Sequence, residues 1–140
     1  MKLRNIMSEQ VLRIHPEETV DVAARTLAQY NIGALPVCGN DGRLMGMVTD
    51  RDLVTRCLAV GQAPEKTKVR QVMTGRVVTA SPDMTADEAA KLMGAQQIRR
   101  LPVVENGALC GMVSLGDLAT KGKSAAAEAL EEISEKIRKF

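Results

Sequence analysis

Two stretches of this chain combine residue types that can together hold a sugar phosphate. In Gly46-Met47-Val48-Thr49-Asp50-Arg51-Asp52 a hydroxyl stands three residues before an aspartate, and Gly111-Met112-Val113-Ser114-Leu115-Gly116-Asp117 keeps the glycine, the hydroxyl and the aspartate at the same spacing. A carboxylate can accept both hydroxyls of a ribose, while a neighbouring Thr or Ser can bond the sugar or a first phosphate. Placed in the first turn of a helix, such a carboxylate also lies where the dipole and free amides favour negative charge. The plainer reading is that Thr49 and Ser114 are N-caps and the aspartates complement the dipole.

A second pair of stretches differs in charge. Ile32-Gly33-Ala34-Leu35-Pro36-Val37 is matched by Ile98-Arg99-Arg100-Leu101-Pro102-Val103. Proline removes a ladder donor, so a strand opens there at an edge and the backbone before it can offer polar groups to a partner such as an adenine edge. Ile32 and Ile98 can supply an apolar wall. Arg99 and Arg100 have no cationic counterpart at Gly33 and Ala34, and paired guanidiniums match the oxygens of phosphate. A solvated basic helix end is the competing explanation for the two arginines.

The elements that carry these residues come from a repeat. Met7, Pro16 and Pro36 recur as Met73, Pro82 and Pro102, each 66 residues on; after one deletion near Asp41 the offset becomes 65, so that Asp52 matches Asp117. Each copy reads as strand, helix, strand, strand, helix. In the first, Val11–Ile14 is an apolar strand, Thr19 caps a helix carrying Val20, Ala23, Ala24 and Leu27, and Ala34–Cys38 and Leu44–Val48 flank a Gly-Asn-Asp-Gly turn. A helix over Asp50–Val60 with Leu53, Val54, Cys57 and Leu58 inward stops at Gly61. In the second copy Thr85 to Glu88 forms a capping box, Glu105-Asn106-Gly107 turns a hairpin, and Leu118 begins the closing helix. Residues 1–61 and 69–122 are thus the two repeats, joined by a linker at 62–68. Residues 123–140 are a tail, whose Ser124–Phe140 stretch reads as an amphipathic helix with Leu130, Ile133 and Ile137 on one face.

Composition narrows the function classes. A chain of 140 residues with 45% hydrophobic and 26% charged residues has a globular balance. A net charge of +2 and only one Tyr, one Phe and no Trp give neither a field for nucleic acid or membrane nor a stacking platform for single strands. Cys38, Cys57 and Cys110 have no metal-type spacing and sit in apolar stretches, which reads as buried free thiols in a reducing compartment. No signal peptide or membrane span is visible, so a cytoplasmic location is expected. His15, the only histidine, has no matching nucleophile, and there is no Walker loop, Gly-x-Gly-x-x-Gly, Cys-x-x-Cys or metal-ligand cluster. Catalysis is set aside. Most of the eight methionines fall on repeat-matched core positions, where they fill gaps.

Met7 and Met73, the strings ALPV and RLPVV, and then GMVTDRD and GMVSLGD, all at repeat spacing, resemble a tandem pair of CBS (cystathionine-β-synthase-type) domains, a Bateman module. The resemblance covers about residues 1–122 and implies an α+β fold of two βαββα repeats around a pseudo-twofold axis, leaving two clefts. Modules of this kind bind AMP, ADP, ATP, S-adenosylmethionine or NAD. Mapped onto this chain, a primary cleft uses Arg99, Arg100, Ser114 and Asp117 with Ile32, Gly33 and Ala34 opposite. A second uses Thr49, Arg51 and Asp52 with Ile98, and lacks phosphate-binding cations at Gly33 and Ala34.

The resulting expectation is a non-catalytic sensor of an adenosine-type ligand, with no required cofactor or metal, no nucleic-acid or membrane partner, and a homodimer formed through the repeat helices. The competing class is an interaction or dimerisation scaffold without a small-molecule ligand, with the tail helix as a possible surface for a protein partner.

Overall fold

In the computed structural model, which describes residues 1–121 and 133–134, the chain forms a mixed α+β fold with two small antiparallel sheets. A 3-10 turn at Leu3–Asn5 precedes helix α1 (Val20–Tyr30), strands β1 (Ala34–Cys38) and β2 (Leu44–Thr49), and helix α2 (Asp50–Leu53), which continues as a π-turn over Val54–Leu58. The second half repeats the order with α3 (Val69–Val72), α4 (Ala86–Gln96), β3 (Arg100–Glu105), β4 (Ala108–Ser114) and α5 (Leu115–Lys121). Both long helices bury one stripe, Val20, Ala23 and Leu27 in α1 and Ala86, Ala89, Ala90 and Met93 in α4. Each ends on a left-handed residue, Asn31 at φ 52° and Gln97 at φ 56°, which closes the last carbonyls.

The packing units are not the sequence repeats. One compact unit is built from Met1–Val11 and Val78–Phe140, and the other is Leu12–Val77; we call them the split and the contiguous unit. The opening segment of each repeat has therefore been exchanged. In the contiguous unit Val69 N–H donates to the Glu18 carbonyl, Arg70 N–H to Pro16, and Val20 N–H to Thr67. The split unit makes the matching bonds from Leu3 to Met84, Arg4 to Pro82 and Ala86 to Met1. Leu3 and Ile6 on one side, and Val69 and Val72 on the other, are at most 2% exposed. Burying each contributes about 1.5–3 kcal/mol, the force that holds the exchanged segments in place.

Each exchanged segment also joins its sheet. Thr74 pairs with Met47 and Ser8 with Met112 as antiparallel bridges on the outer side of β2 and β4. There the motif glycines explain themselves. A Cβ on Gly46 would lie 2.5 Å from the Thr74 carbonyl oxygen, and one on Gly111 would lie 2.5 Å from the Met7 sulfur. Only glycine permits so close an approach.

Several expectations change. The strand expected at Val11–Ile14 is a single parallel bridge from Ile14 to Val37, matched by Ala80 to Val103. Pro36 accepts from Ile14 N–H while Cys38 N–H donates to the Ile14 carbonyl. The next bond back would need an N–H on Pro36, and proline has none, so the ladder stops at one residue. The Asp50–Val60 helix widens after Leu53 into the π-turn, which buries Leu53 and Cys57 but leaves Val54 and Leu58 more than half exposed. Ala24 is exposed as well. The closing helix starts at Leu115, not Leu118, because Ser114 caps it. Thr19 makes no cap bond to an amide; its hydroxyl donates to the Asp21 carboxylate instead. The tail helix lies outside the described residues except for Ile133 and Ser134, of which Ile133 is buried in the core of the split unit beside Leu3 and Leu118.

Candidate functional site

The two hydroxyl–aspartate pairs are both capping boxes. At the start of α5, Ser114 N–H donates to Asp117 Oδ2 at 2.8 Å and Asp117 N–H returns a bond to Ser114 Oγ at 3.1 Å. At the start of α2, Thr49 N–H donates to Asp52 Oδ2 and Asp52 N–H to Thr49 Oγ1, both at 3.0 Å. The capping explanation therefore holds for one oxygen of each aspartate, and the chemistry of the site depends on the other.

That second oxygen differs between the units. Asp52 is 8% exposed, and its Oδ1 faces Arg56 Nε at 3.8 Å. Arg56 is itself tied to the exchanged segment, donating from Nη1 to the carbonyls of Val72 at 3.3 Å and Met73 at 3.2 Å. In the split unit the residue matching Arg56 is Lys121, whose ammonium donates to the Ile6 carbonyl at 3.4 Å. Asp117 is only half-buried, and its Oδ1 has no hydrogen-bond or ion-pair partner among the described residues. An acceptor is thus open at Asp117 and engaged at Asp52.

Beside Asp117 lies a cleft of about 340 Å³ lined by Arg99, Arg100, Ser114, Leu115 and Gly116. The strand pairing that sets Arg100 opposite Ser114, and the bond from Leu115 N–H to the Arg99 carbonyl at 3.0 Å, hold its two walls together. Both arginines are exposed, with no side-chain partner among the described residues. Their guanidiniums can swing onto an anion without breaking an existing ion pair. Ile98, next in the chain, packs against the core of the split unit.

The contiguous unit repeats the backbone without the cations. Ala34 sits opposite Thr49, Asp50 N–H donates to the Gly33 carbonyl at 3.0 Å, and Ile32 packs on the core of its unit. Arg51 is exposed, and its N–H donates to the Asp50 carboxylate at 2.8 Å. Of the residues singled out from sequence, Ile98, Arg99, Arg100, Ser114 and Asp117 thus belong to the split unit, and Ile32, Gly33, Ala34, Thr49, Arg51 and Asp52 to the contiguous one. Arg56 and Lys121 were missed. Their position four residues after each aspartate is the helical ion-pair spacing that could have found them.

Other reactive groups are accounted for structurally. Burial pushes the thiols of Cys38 and Cys110 up, which lowers their nucleophilicity, and Cys57 is buried in the core of the contiguous unit. His15 Nδ1 accepts from Glu17 N–H at 3.2 Å in the turn before α1. Among the described residues no helix is long and apolar enough to cross a membrane, and no group of three or more His, Cys, Asp or Glu could hold a metal ion.

The CBS domain description matches residues 3–59 and 69–123. A CBS domain-containing protein of Bacillus subtilis, YhcV, is 41% identical over 134 residues, 94% of each chain. Among solved structures, Hypoxic Response Protein I, crystallised with two coordinated zinc ions, superposes with a TM-score of 0.79 at 34% identity, over 86% of this chain and 98% of that one. The CBS domain pair of protein MJ0100, in complex with 5′-methylthioadenosine and S-adenosyl-L-methionine, gives a TM-score of 0.73 at 28% identity with the same coverage, 86% and 98%.

Proposed function

Because this chain belongs to the CBS-domain family, with one copy at 3–59 and another at 69–123, we propose that it is a non-catalytic regulatory module that senses an adenosine-containing ligand. The ligand is of the AMP, ADP or ATP class, with S-adenosylmethionine and NAD as the related candidates. One observation carries this reading. The cleft of the split unit brings together the Ser114 hydroxyl and two arginines without partners among the described residues, and Asp117, next in the chain to its lining residue Gly116, keeps one carboxylate oxygen unengaged among them. Asp117 Oδ1 would accept from the ribose hydroxyls, Ser114 can still donate its hydroxyl proton, and Arg99 and Arg100 would take phosphate oxygens. The adenosine ligands of the MJ0100 pair support that assignment of ligand class.

The test is a thermal-shift series with AMP, ADP, ATP, S-adenosylmethionine and NAD on the wild type and on Asp117→Asn. Asparagine keeps an oxygen for the Ser114 amide, so the cap survives while the acceptor for ribose is lost. At a hundred times the dissociation constant the wild type should gain about 2.7 kcal/mol, a rise of several degrees for a chain of this size. Asp117→Asn should lose most of it with an unchanged melt in the absence of ligand. If no adenosine ligand moves the wild-type melt at millimolar concentration, the sensor reading is wrong and a dimerisation scaffold replaces it.

The same module would act as a homodimer in the cytoplasm, pairing through its repeat helices. Tyr30, Val54, Leu58 and Val60 stand 51–61% exposed in the contiguous unit, an apolar set that a second copy would cover.

A further inference from the structure

The two units share one backbone scaffold and carry opposite charge on it. Each has a residue after the capping hydroxyl whose N–H donates at 3.0 Å to the carbonyl of the residue just before the strand: Asp50 to Gly33, and Leu115 to Arg99. Around that bond the split unit has Arg99, Arg100, Leu115, Gly116 and Asp117, and the contiguous unit has Gly33, Ala34, Asp50, Arg51 and Asp52. Two arginines and one aspartate in the split unit thus correspond to one arginine and two aspartates in the contiguous one. The Asp50 carboxylate lies over Gly33, with Oδ2 3.5 Å from where a Cβ on Gly33 would stand, the point from which Arg99 sets out in the other unit. Its Oδ1 also accepts from the Arg51 N–H at 2.8 Å.

We infer that Asp50 is a specificity-determining residue that bars phosphorylated ligands from the contiguous unit, so that each chain takes up one phosphorylated nucleotide, through Asp117. This deepens the proposed function and rests on its reading of the Asp117 cleft. A phosphate brought to Gly33 would meet a carboxylate of like charge, and neither matched position of that strand, Gly33 or Ala34, supplies a guanidinium. At the same point in the split unit it meets Arg99, Arg100 and an uncharged Leu115. A position that gains like-charge repulsion and loses charge-assisted bonds together is disfavoured by about a hundredfold or more.

The experiment is calorimetric titration of the full chain with ATP. The wild type should bind one equivalent, lost in Asp117→Asn and kept in Asp52→Asn. The charge-exchanged variant Gly33→Arg/Ala34→Arg/Asp50→Leu, with Arg56→Lys added to open Asp52 Oδ1 as Lys121 leaves Asp117 open in the split unit, should bind two, the second vanishing when Asp52→Asn is added. An arginine at Gly33 is sterically allowed, since the nearest atom stands at ordinary contact distance and φ is not left-handed. Circular dichroism would confirm that the variant folds, and Asp50→Asn alone, which leaves the backbone contacts intact, should already raise a weak second binding event about tenfold. Two equivalents on the wild type, with one lost in Asp52→Asn, would overturn the inference while leaving the sensor reading standing. So would a folded exchange variant that still binds one. No binding of ATP by the wild type would overturn both.

Discussion

Replacing Gly46 by alanine should damage this protein much more than the same change at its repeat mate Gly111. Both new methyl groups would arrive 2.5 Å from a heavy atom, but the atoms differ. At Gly111 the closest obstacle is the sulfur of Met7, with its Cγ at 2.9 Å and the Ser8 carbonyl oxygen at 3.1 Å. The unbranched side chain can rotate away, and the oxygen need yield far less than one at 2.5 Å. At Gly46 it is the Thr74 carbonyl oxygen, with the Thr74 carbonyl carbon at 3.3 Å. That oxygen accepts from Met47 N–H at 3.0 Å, and Thr74 N–H returns a bond to Met47 at 2.8 Å. Relief of the clash requires the exchanged segment to peel back and loosens both bonds, each worth about 0.5–1.5 kcal/mol. Adding an overpacking cost of about 1–3 kcal/mol gives a loss of about 2–6 kcal/mol for Gly46→Ala. For Gly111→Ala the overpacking cost of about 1–3 kcal/mol is expected by itself, since the backbone oxygen there is not driven from its bonds. Thermal melts followed by circular dichroism would resolve the difference, with each kcal/mol moving the midpoint by about 3–5 °C. Gly75→Ala is the control: it has open space and no left-handed φ, and should be neutral or stabilise by up to about 1 kcal/mol. A Gly111→Ala variant as damaged as Gly46→Ala would refute the distinction between backbone and side-chain obstacles.

Acid should loosen both exchanged segments together. The Lys68 ammonium bonded to Glu17, with Arg70 beside it, holds that carboxyl below the usual range, and the Arg4 guanidinium does the same for Asp83. A carboxylate with a lowered folded-state pKa contributes stability above its unfolded value and loses it as pH falls through the folded one. The wild-type melt should therefore decline below about pH 4.5, and Glu17→Gln/Asp83→Asn should decline less steeply over that window; parallel curves would count against the two clamps. Both clamps are exposed, so the effect at neutral pH should be small. Sedimentation at tens of micromolar should give a species of twice the 15.1 kDa chain mass, shifted toward monomer by Leu58→Asp, and a monomer in the unaltered protein would rule out the proposed dimer.

The repeat made the fold legible, because two copies at fixed spacing fix which strands and helices correspond. The hydroxyl–aspartate spacing located both helix starts as well, since that separation is what a capping box needs. What escaped the sequence were contacts between residues far apart in the chain. Nothing local to Val11–Ile14 says that Pro36 will withhold the donor its strand would need. Likewise, nothing around Gly46 says that Thr74 will approach it. The occupancy of Asp52 by Arg56 was within reach through its four-residue spacing. The difference between an engaged and an open aspartate depends on where Arg56 and Lys121 find their carbonyls, which belong to the exchanged segments.

The exchange gives the two units unequal standing in time. The Leu12–Val77 unit is continuous and can complete itself from its own stretch of chain. The other must bring Val11 to Val78 across a loop of 66 residues, Leu12 to Val77. For a flexible loop that closure costs about 4 kcal/mol. Once the contiguous unit has folded, the intervening chain is no longer flexible and that cost has largely been met. The closure is therefore easier in one order than in the other: opening the contiguous unit returns Leu12–Val77 to a flexible loop and restores that cost to the split unit, whereas opening the split unit leaves Leu12–Val77 whole. The cleft at Asp117 stands on the dependent side. A ligand bound there, as proposed, would hold together a unit made of two pieces of chain that 66 residues separate, so a local contact at Asp117 would reinforce the closure of that long loop.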